Sequence, residues 1–248
     1  MDTAIALFAL APGLALGSFL NVVAARVPLR RSIVSPGSAC PGCESPIAWH
    51  DNVPVLSYLL LRGHCRSCRA TISWKYPAVE AATAALVSAC FLRFGLSGDA
   101  VVAAFLSCVL VAVSVTDFER RVIPNRIVLP AAAIALAAQT ALHPSAEWAI
   151  GAFGYALFLF LVALAYPGGM GMGDVKLALL LGAVLGRTVP VALMVALLTA
   201  LVPSAVVVAR HGRAGRKMAI AFGPFLALGG IVALFAGHQI LRAYLGLG

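Results

Sequence analysis

Charge is what this sequence has least of. Charged residues make up 11% of its 248 positions, well under the roughly 25% of an ordinary soluble domain. Acid is scarcer still, with 9 Asp+Glu against 18 Lys+Arg. Together with the apolar content below, this excludes a disordered chain and argues against a soluble globular enzyme. Hydrocarbon stands where charge is missing: 62% of residues are apolar and the mean hydropathy is +0.99. A spanning helix takes about 20 mostly apolar residues. The chain therefore has length for eight spans and one small polar insert.

The few charges cut the chain into runs. Residues 4–25 are apolar up to Arg26, and the segment 26–76 is basic, proline-containing and cysteine-bearing. Apolar runs follow at 78–96, 100–116, 127–142 and 148–166. A glycine-rich break, Pro167-Gly168-Gly169-Met170-Gly171-Met172-Gly173-Asp174, precedes runs at about 173–186, 190–209 and 219–241. The pattern predicts an all-α polytopic membrane protein of about eight transmembrane helices. Its expected parts are a first helix at 1–25, a cytoplasmic insert at 26–76 and a seven-helix transmembrane domain at 77–248. No basic residue precedes the first run and Asp2 is the only early charge. That suits a first span with its N-terminus outside, not a cleaved leader. In this topology Arg26, Arg30, Arg31, Arg62, Arg66, Arg69, Lys75, Arg120, Arg121, Arg126, Lys176, Arg210, Arg213, Arg216 and Lys217 lie inside. Only Arg93, Arg187 and Arg242 lie outside. Basic residues concentrate on the cytoplasmic side of membrane proteins, so the distribution selects this orientation. The net charge of +9 is then a topology marker, with anionic inner-leaflet lipid as its counterpart and no nucleic acid implied.

The insert holds Cys40-Pro41-Gly42-Cys43 and Cys65-Arg66-Ser67-Cys68. Two C-x2-C turns each aim two sulfurs at one point and together supply four thiolates for tetrahedral zinc. Pro41 and Gly42 suit the tight turn, and Arg66 and Arg69 favour thiolates. Two disulfides, or a redox pair, are the rivals, and a reducing cytoplasm counts against them. Four cysteine ligands leave no open position, so the expected zinc is structural, holding a fold too small for its own core. Cys90 and Cys108 lie in apolar runs and read as packing.

Nine carboxylates can be weighed one by one. Asp2, Asp99 and Glu147 fall at outer boundaries and read as solvated ends. Glu44, Asp51 and Glu119 read as surface. Glu80 opens the second span, where an acid either complements a helix N-terminus or has a function. Asp117 and Asp174 differ: one closes the third span after an uncharged run, the other follows Gly171-Met172-Gly173 and opens the sixth. Both fall at the cytoplasmic membrane edge, where acids are costly and a functional role is the first hypothesis. Two carboxylates sharing a site do not both ionise readily, so one keeps a proton. The ionised one can activate water while the protonated one polarises a peptide carbonyl and serves the leaving amine. Glycines before Asp174 give an extended peptide close access to the backbone.

These motifs resemble the type IV prepilin peptidases, a GxGD-type intramembrane aspartic protease family of bifunctional leader peptidase/N-methyltransferases in bacterial pilus and type II secretion systems. The resemblance runs through Gly17-Ser18-Phe19-Leu20-Asn21-Val22-Val23 with Arg26 and Pro28, both Cys pairs, Asn52-Val53-Pro54 and Leu61-Arg62-Gly63-His64. It continues in Tyr76-Pro77-Ala78-Val79-Glu80, Asp117 with Ile123-Pro124-Asn125, Gly171-Met172-Gly173-Asp174-Val175-Lys176-Leu177, and Ala221-Phe222-Gly223-Pro224-Phe225. Val53 and Asn125 are mild departures. The resemblance implies residence in the bacterial inner membrane and prepilins or pseudopilins as substrates. It implies cleavage of a short basic leader after a glycine at the cytoplasmic face, with Asp117 and Asp174 as catalytic dyad. It further implies methylation of the new N-terminal residue from S-adenosylmethionine, associated with the insert and neighbouring segments. No G-x-G-x-x-G fingerprint marks a nucleotide site, and no residue is singled out for the methyl donor.

Three other readings compete. A peptidase-only relative would use the insert as a substrate dock. A small ion-coupled transporter would use the two acids as ligands, but the matched interrupted halves of such proteins are missing here. A membrane adaptor binding a partner through its zinc insert would leave the two acids unexplained.

Overall fold

The computed structural model describes residues 2–166, 170–215 and 221–246. Pro167, Gly168 and Gly169 of the expected break, the start of the run expected at 219, and Arg216 and Lys217 of the inner basic set lie outside the described residues. The helices are α1 (Asp2–Arg26), α2 (Leu56–Leu60), α3 (Lys75–Phe94), α4 (Gly98–Arg120), α5 (Asn125–Leu142), α6 (Glu147–Ala165), α7 (Met172–Leu185), α8 (Val189–Gly215) and α9 (Gly223–Tyr244). Among the described residues the only extended pairings are isolated bridges, Ala39 with Pro46 and His64 with Thr71. The chain is all-α, with a small cysteine-bearing insert after the first helix, as its hydropathy pattern predicts.

Among the described residues seven helical stretches are long and apolar enough to cross a membrane, and one of them is the 41-residue stretch Met172–Gly212. A straight helix of that length would reach about 60 Å, twice a bilayer core of roughly 30 Å. The stretch is instead broken at Gly186, whose φ of 49° opens a short 3-10 turn through Thr188. Close contacts show that α8 returns. Gly229 of α9 lies on Ala192, Gly237 lies on Thr188, and Gly223 at the start of α9 meets Asp117. So α9 runs with α7 and against α8, and α7 and α8 form a hairpin. The hairpin accounts for two of the eight apolar runs read from the sequence, of which α7, at 14 residues, is the short one.

The chain divides into two compact units, Met1–Ala112 and Val113–Gly248, with the boundary inside α4. In the first, α1 and α3 pack antiparallel through glycine. A Cβ on Gly13 would stand 2.7 Å from Ala84 Cα, and one on Gly17 2.6 Å from Glu80 Cα. In lipid, where apolar burial does little to hold helices together, such close backbone approach is the main source of packing energy. Asn21 Nδ2 adds a 3.1 Å bond to the Tyr76 carbonyl. At the end of α1, Arg26 donates to the carbonyls of Ser32 and Gly37 and so folds the start of the insert back on itself.

In the second unit α7 is the central helix. Its Leu177, Ala178, Leu180 and Leu181 are fully buried, as a helix apolar on all sides requires. Against it α6 runs antiparallel, with the backbones of Gly151 and Gly182 in direct contact and Leu159 packed with Val175 and Ala178. Alongside, α5 runs parallel: Lys176 Nζ donates to Asn125 Oδ1 at 2.8 Å near one end, and Gln139 Nε2 to the Val184 carbonyl at 3.1 Å near the other.

Candidate active site and metal centre

Three segments of the second unit converge on two carboxylates. Asp117 lies in the last turn of α4 and is 6% exposed, and Asp174 lies in the first turn of α7 and is 7% exposed. They are close enough to interact electrostatically. Each is held by a backbone amide. Gly223 N–H, at the start of α9, donates to Asp117 Oδ2 at 2.9 Å. Gly171 N–H donates to Asp174 Oδ2 at 3.3 Å, while the Asp174 amide donates to the Gly171 carbonyl at 3.1 Å. Such reciprocal bonds cap a helix N-terminus, so Asp174 is fixed by the same contacts that begin α7.

The neighbouring glycines have steric reasons. A Cβ on Gly173 would stand 2.9 Å from Ile123 Cβ, and one on Gly223 2.7 Å from Asp117 Oδ2. Thus Gly173 packs on Ile123 and Gly223 on Asp117, while the two carboxylates feel each other's charge. Sequence reasoning set Asp117 and Asp174 at the same membrane edge, and the structure brings them together. It did not find the Gly223 amide as an Asp117 partner. The only signal was the unexplained segment Ala221-Phe222-Gly223-Pro224-Phe225.

In the first unit Cys40, Cys43, Cys65 and Cys68 form one cluster, with all four Sγ atoms within 4.8 Å of one another. The two turns are built alike. Cys40 N–H donates to the Ser45 carbonyl at 3.0 Å and Cys65 N–H to the Ala70 carbonyl at 2.8 Å. The residue after each second cysteine, Glu44 or Arg69, is left-handed, at φ 57° and 61°. The separations across the turns are 3.7 Å for Cys40–Cys68 and 4.0 Å for Cys43–Cys65. A disulfide needs about 2.0 Å. Sulfurs about 2.3 Å from a tetrahedral zinc lie about 3.8 Å apart. The cluster fits a metal ion and not a disulfide pair. Hydrogen bonds with the Ser45 side chain and backbone favour the Cys43 thiolate and bring that thiol down to about 6. Hydrogen bonding from the Cys68 and Ser67 backbone also lowers Cys65.

Other acids depart from their sequence reading. Asp51 pairs with Arg66, whose Nε and Nη2 grip it at 2.7 and 2.6 Å, which holds the Asp51 carboxyl below the usual range. Glu147 is no free solvated end, because Arg187 takes both its oxygens at 3.0 and 2.8 Å and locks the start of α6 to the turn after α7. Glu80 is 8% exposed and bonded to Val55 N–H at 2.8 Å.

Residues 12–94 match the model of the bacterial peptidase A24 N-terminal domain, and residues 104–209 that of the type IV leader peptidase family. The prepilin leader peptidase/N-methyltransferase of Bacillus subtilis is 37% identical over 94% of this chain and 95% of its own. That of Pseudomonas aeruginosa is 35% identical over 94% of this chain and 91% of its own. That of Myxococcus xanthus is 40% identical over 73% of this chain and 56% of its own. No solved structure matches.

Proposed function

We propose that this chain, which belongs to the type IV leader peptidase family, cleaves the basic leader of type IV prepilins and pseudopilins with Asp117 and Asp174 and then methylates the new N-terminus. It is a multi-pass protein of the bacterial inner membrane, an enzyme with prepilin leader peptidase and N-methyltransferase activities. The observation carrying the dyad assignment is the convergence of two buried carboxylates from separate helices, each with one oxygen held by a backbone amide.

Those amides leave the other oxygen of each carboxylate for chemistry. The ionised partner takes a proton from water, whose oxygen bonds to the scissile carbonyl carbon. The protonated partner donates to the carbonyl oxygen. The C–N bond then breaks, the amine gains a proton from the dyad, and the leader leaves as a carboxylate. Because Asp117 and Asp174 are rigidly held, little reorganisation accompanies the reaction.

Cys40, Cys43, Cys65 and Cys68 would hold a structural zinc, which supplies cross-linking to an insert too small for a large core and no open coordination position. On this reading residues 26–76 are a metal-stapled domain associated with methyl transfer, while 77–248 carry the peptidase. S-adenosylmethionine is the methyl donor. A cavity of about 290 Å³ beside the second cysteine turn is lined by Leu60, Leu61, Arg62, Arg66 and Arg69. Arg62 and Arg69, beside an Arg66 already paired with Asp51, disfavour a sulfonium cation there. Inner-leaflet anionic lipid balances the basic cytoplasmic face.

The test is incubation of the purified chain with a prepilin and S-adenosylmethionine, with the product's N-terminus read by mass spectrometry. Asp117→Asn and Asp174→Asn should each abolish leader loss. Substantial cleavage by both single variants would overturn the dyad.

A further inference from the structure

Glu80 has no part in the cleavage chemistry, yet it is a buried carboxylate within a span, a placement that ordinarily marks a function. It lies in the second turn of α3, against α1, where Gly17 has no side chain to displace it. The Ser18 hydroxyl of α1 hydrogen-bonds to the carboxylate. Its Oε2 also accepts the Val55 amide at 2.8 Å. Val55 stands at φ 61°, ψ −49°, a costly conformation for a β-branched residue, and it is the residue from which α2 starts.

From Val55 a chain of bonds leads to the metal centre. Ser57, buried, accepts the Val53 amide and donates to the His50 carbonyl, both at 3.0 Å. The next residue, Asp51, holds Arg66 between the cysteines of the second turn. One carboxylate wedged between two spanning helices thus anchors the strained turn from which the insert is organised.

We propose that Glu80 is a positioning residue for methyl transfer: by holding Val55 it sets the cysteine-bearing insert at a fixed angle on α1 and α3. The proposal rests on the reading above that the insert serves methylation. A buried amide bonded to a carboxylate forms one of the stronger hydrogen bonds in a protein, and its loss cuts the tie between this turn and α3. Glutamine keeps an acceptor oxygen at the same reach, whereas alanine does not. Glycine at position 55 adopts positive φ without a steric penalty and makes the turn less dependent on its anchor.

The experiment uses the full chain in lipid nanodiscs. Deuterium uptake over residues 53–59 is measured together with methylation and cleavage of a prepilin peptide. Glu80→Ala should speed uptake there roughly tenfold or more and lower methylation kcat/KM by a similar factor, with cleavage within twofold. Glu80→Gln should restore both, and Val55→Gly in the Glu80→Ala background should recover part of each. Should Glu80→Ala not fold, Ser18→Ala, which removes one partner of the carboxylate, should give a smaller rise in uptake. Unchanged uptake in whichever of these two folds overturns the anchor. Methylation lost equally in Glu80→Gln and Glu80→Ala overturns it too, since charge and not a held amide would then matter. Faster uptake with undiminished methylation leaves the anchor standing and overturns the insert's role in methyl transfer.

Discussion

Replacing Gly223 with alanine tests whether Asp117 must be held where it is. The added Cβ would stand 2.7 Å from Asp117 Oδ2, 3.1 Å from its Cγ and 3.3 Å from its Cβ. Ordinary contact begins at 3.4 Å, so carboxylate or helix must yield by about 0.7 Å. The same movement stretches the 2.9 Å bond from the Gly223 amide. A misplacement of about 1 Å can cost a hundredfold in rate. We therefore expect kcat for leader cleavage to fall roughly 10- to 100-fold, about 1.4–2.7 kcal/mol of barrier, with KM little changed. Gly237→Ala is the control. It lies on the same helix at the opposite end, where a Cβ would stand 3.0 Å from Thr188 Cβ. It should lower the melting temperature in detergent and leave kcat alone. Steady-state cleavage of a synthetic prepilin peptide, read by mass spectrometry beside a melting curve, separates the two. A Gly223→Ala enzyme within twofold of its parent in kcat would refute the reasoning, as would an equal kcat loss from Gly237→Ala.

Two further outcomes follow from the packing and the metal centre. Purified protein should carry about one zinc per chain by elemental analysis, as a closed four-cysteine site requires, and Cys40→Ser or Cys65→Ser should abolish it; a metal-free parent enzyme with an intact fold would count against the site. Gly182→Ala, which drives a methyl group into the Gly151 backbone, should cost more than about 2 kcal/mol, since backbone here has nowhere to move, and an unchanged unfolding midpoint would exclude the tight α6–α7 contact.

The helices were legible because hydropathy and sparse charge set their limits. The run expected at 173–186 is α7, and the one at 127–142 is α5 with two residues added. The cysteine spacing announced one cluster because a C-x2-C turn is a local device. What stayed hidden was contact between remote residues. Gly223 and Asp117 are 106 positions apart, Val55 and Glu80 25, Asp51 and Arg66 15. No periodicity encodes such pairings. Glu147 and Arg187 had read as two unrelated charges at outer boundaries, and only the antiparallel packing of α6 on α7 makes them partners. Gly17 carried a resemblance without a reason until Glu80 was found against it.

The shortness of α7 sets where water must go. Fourteen residues make about 21 Å of helix, some 9 Å less than a hydrocarbon core of roughly 30 Å. A lipid-facing helix of that length would thin the bilayer around it. Sheathed in protein, α7 needs no such distortion, but its ends cannot both reach a membrane surface. The Gly186–Thr188 end is tied to the Glu147–Arg187 ion pair. Asp174 opens the other end, and the hydrolysis proposed there would need a path for water through the protein, because hydrocarbon supplies none.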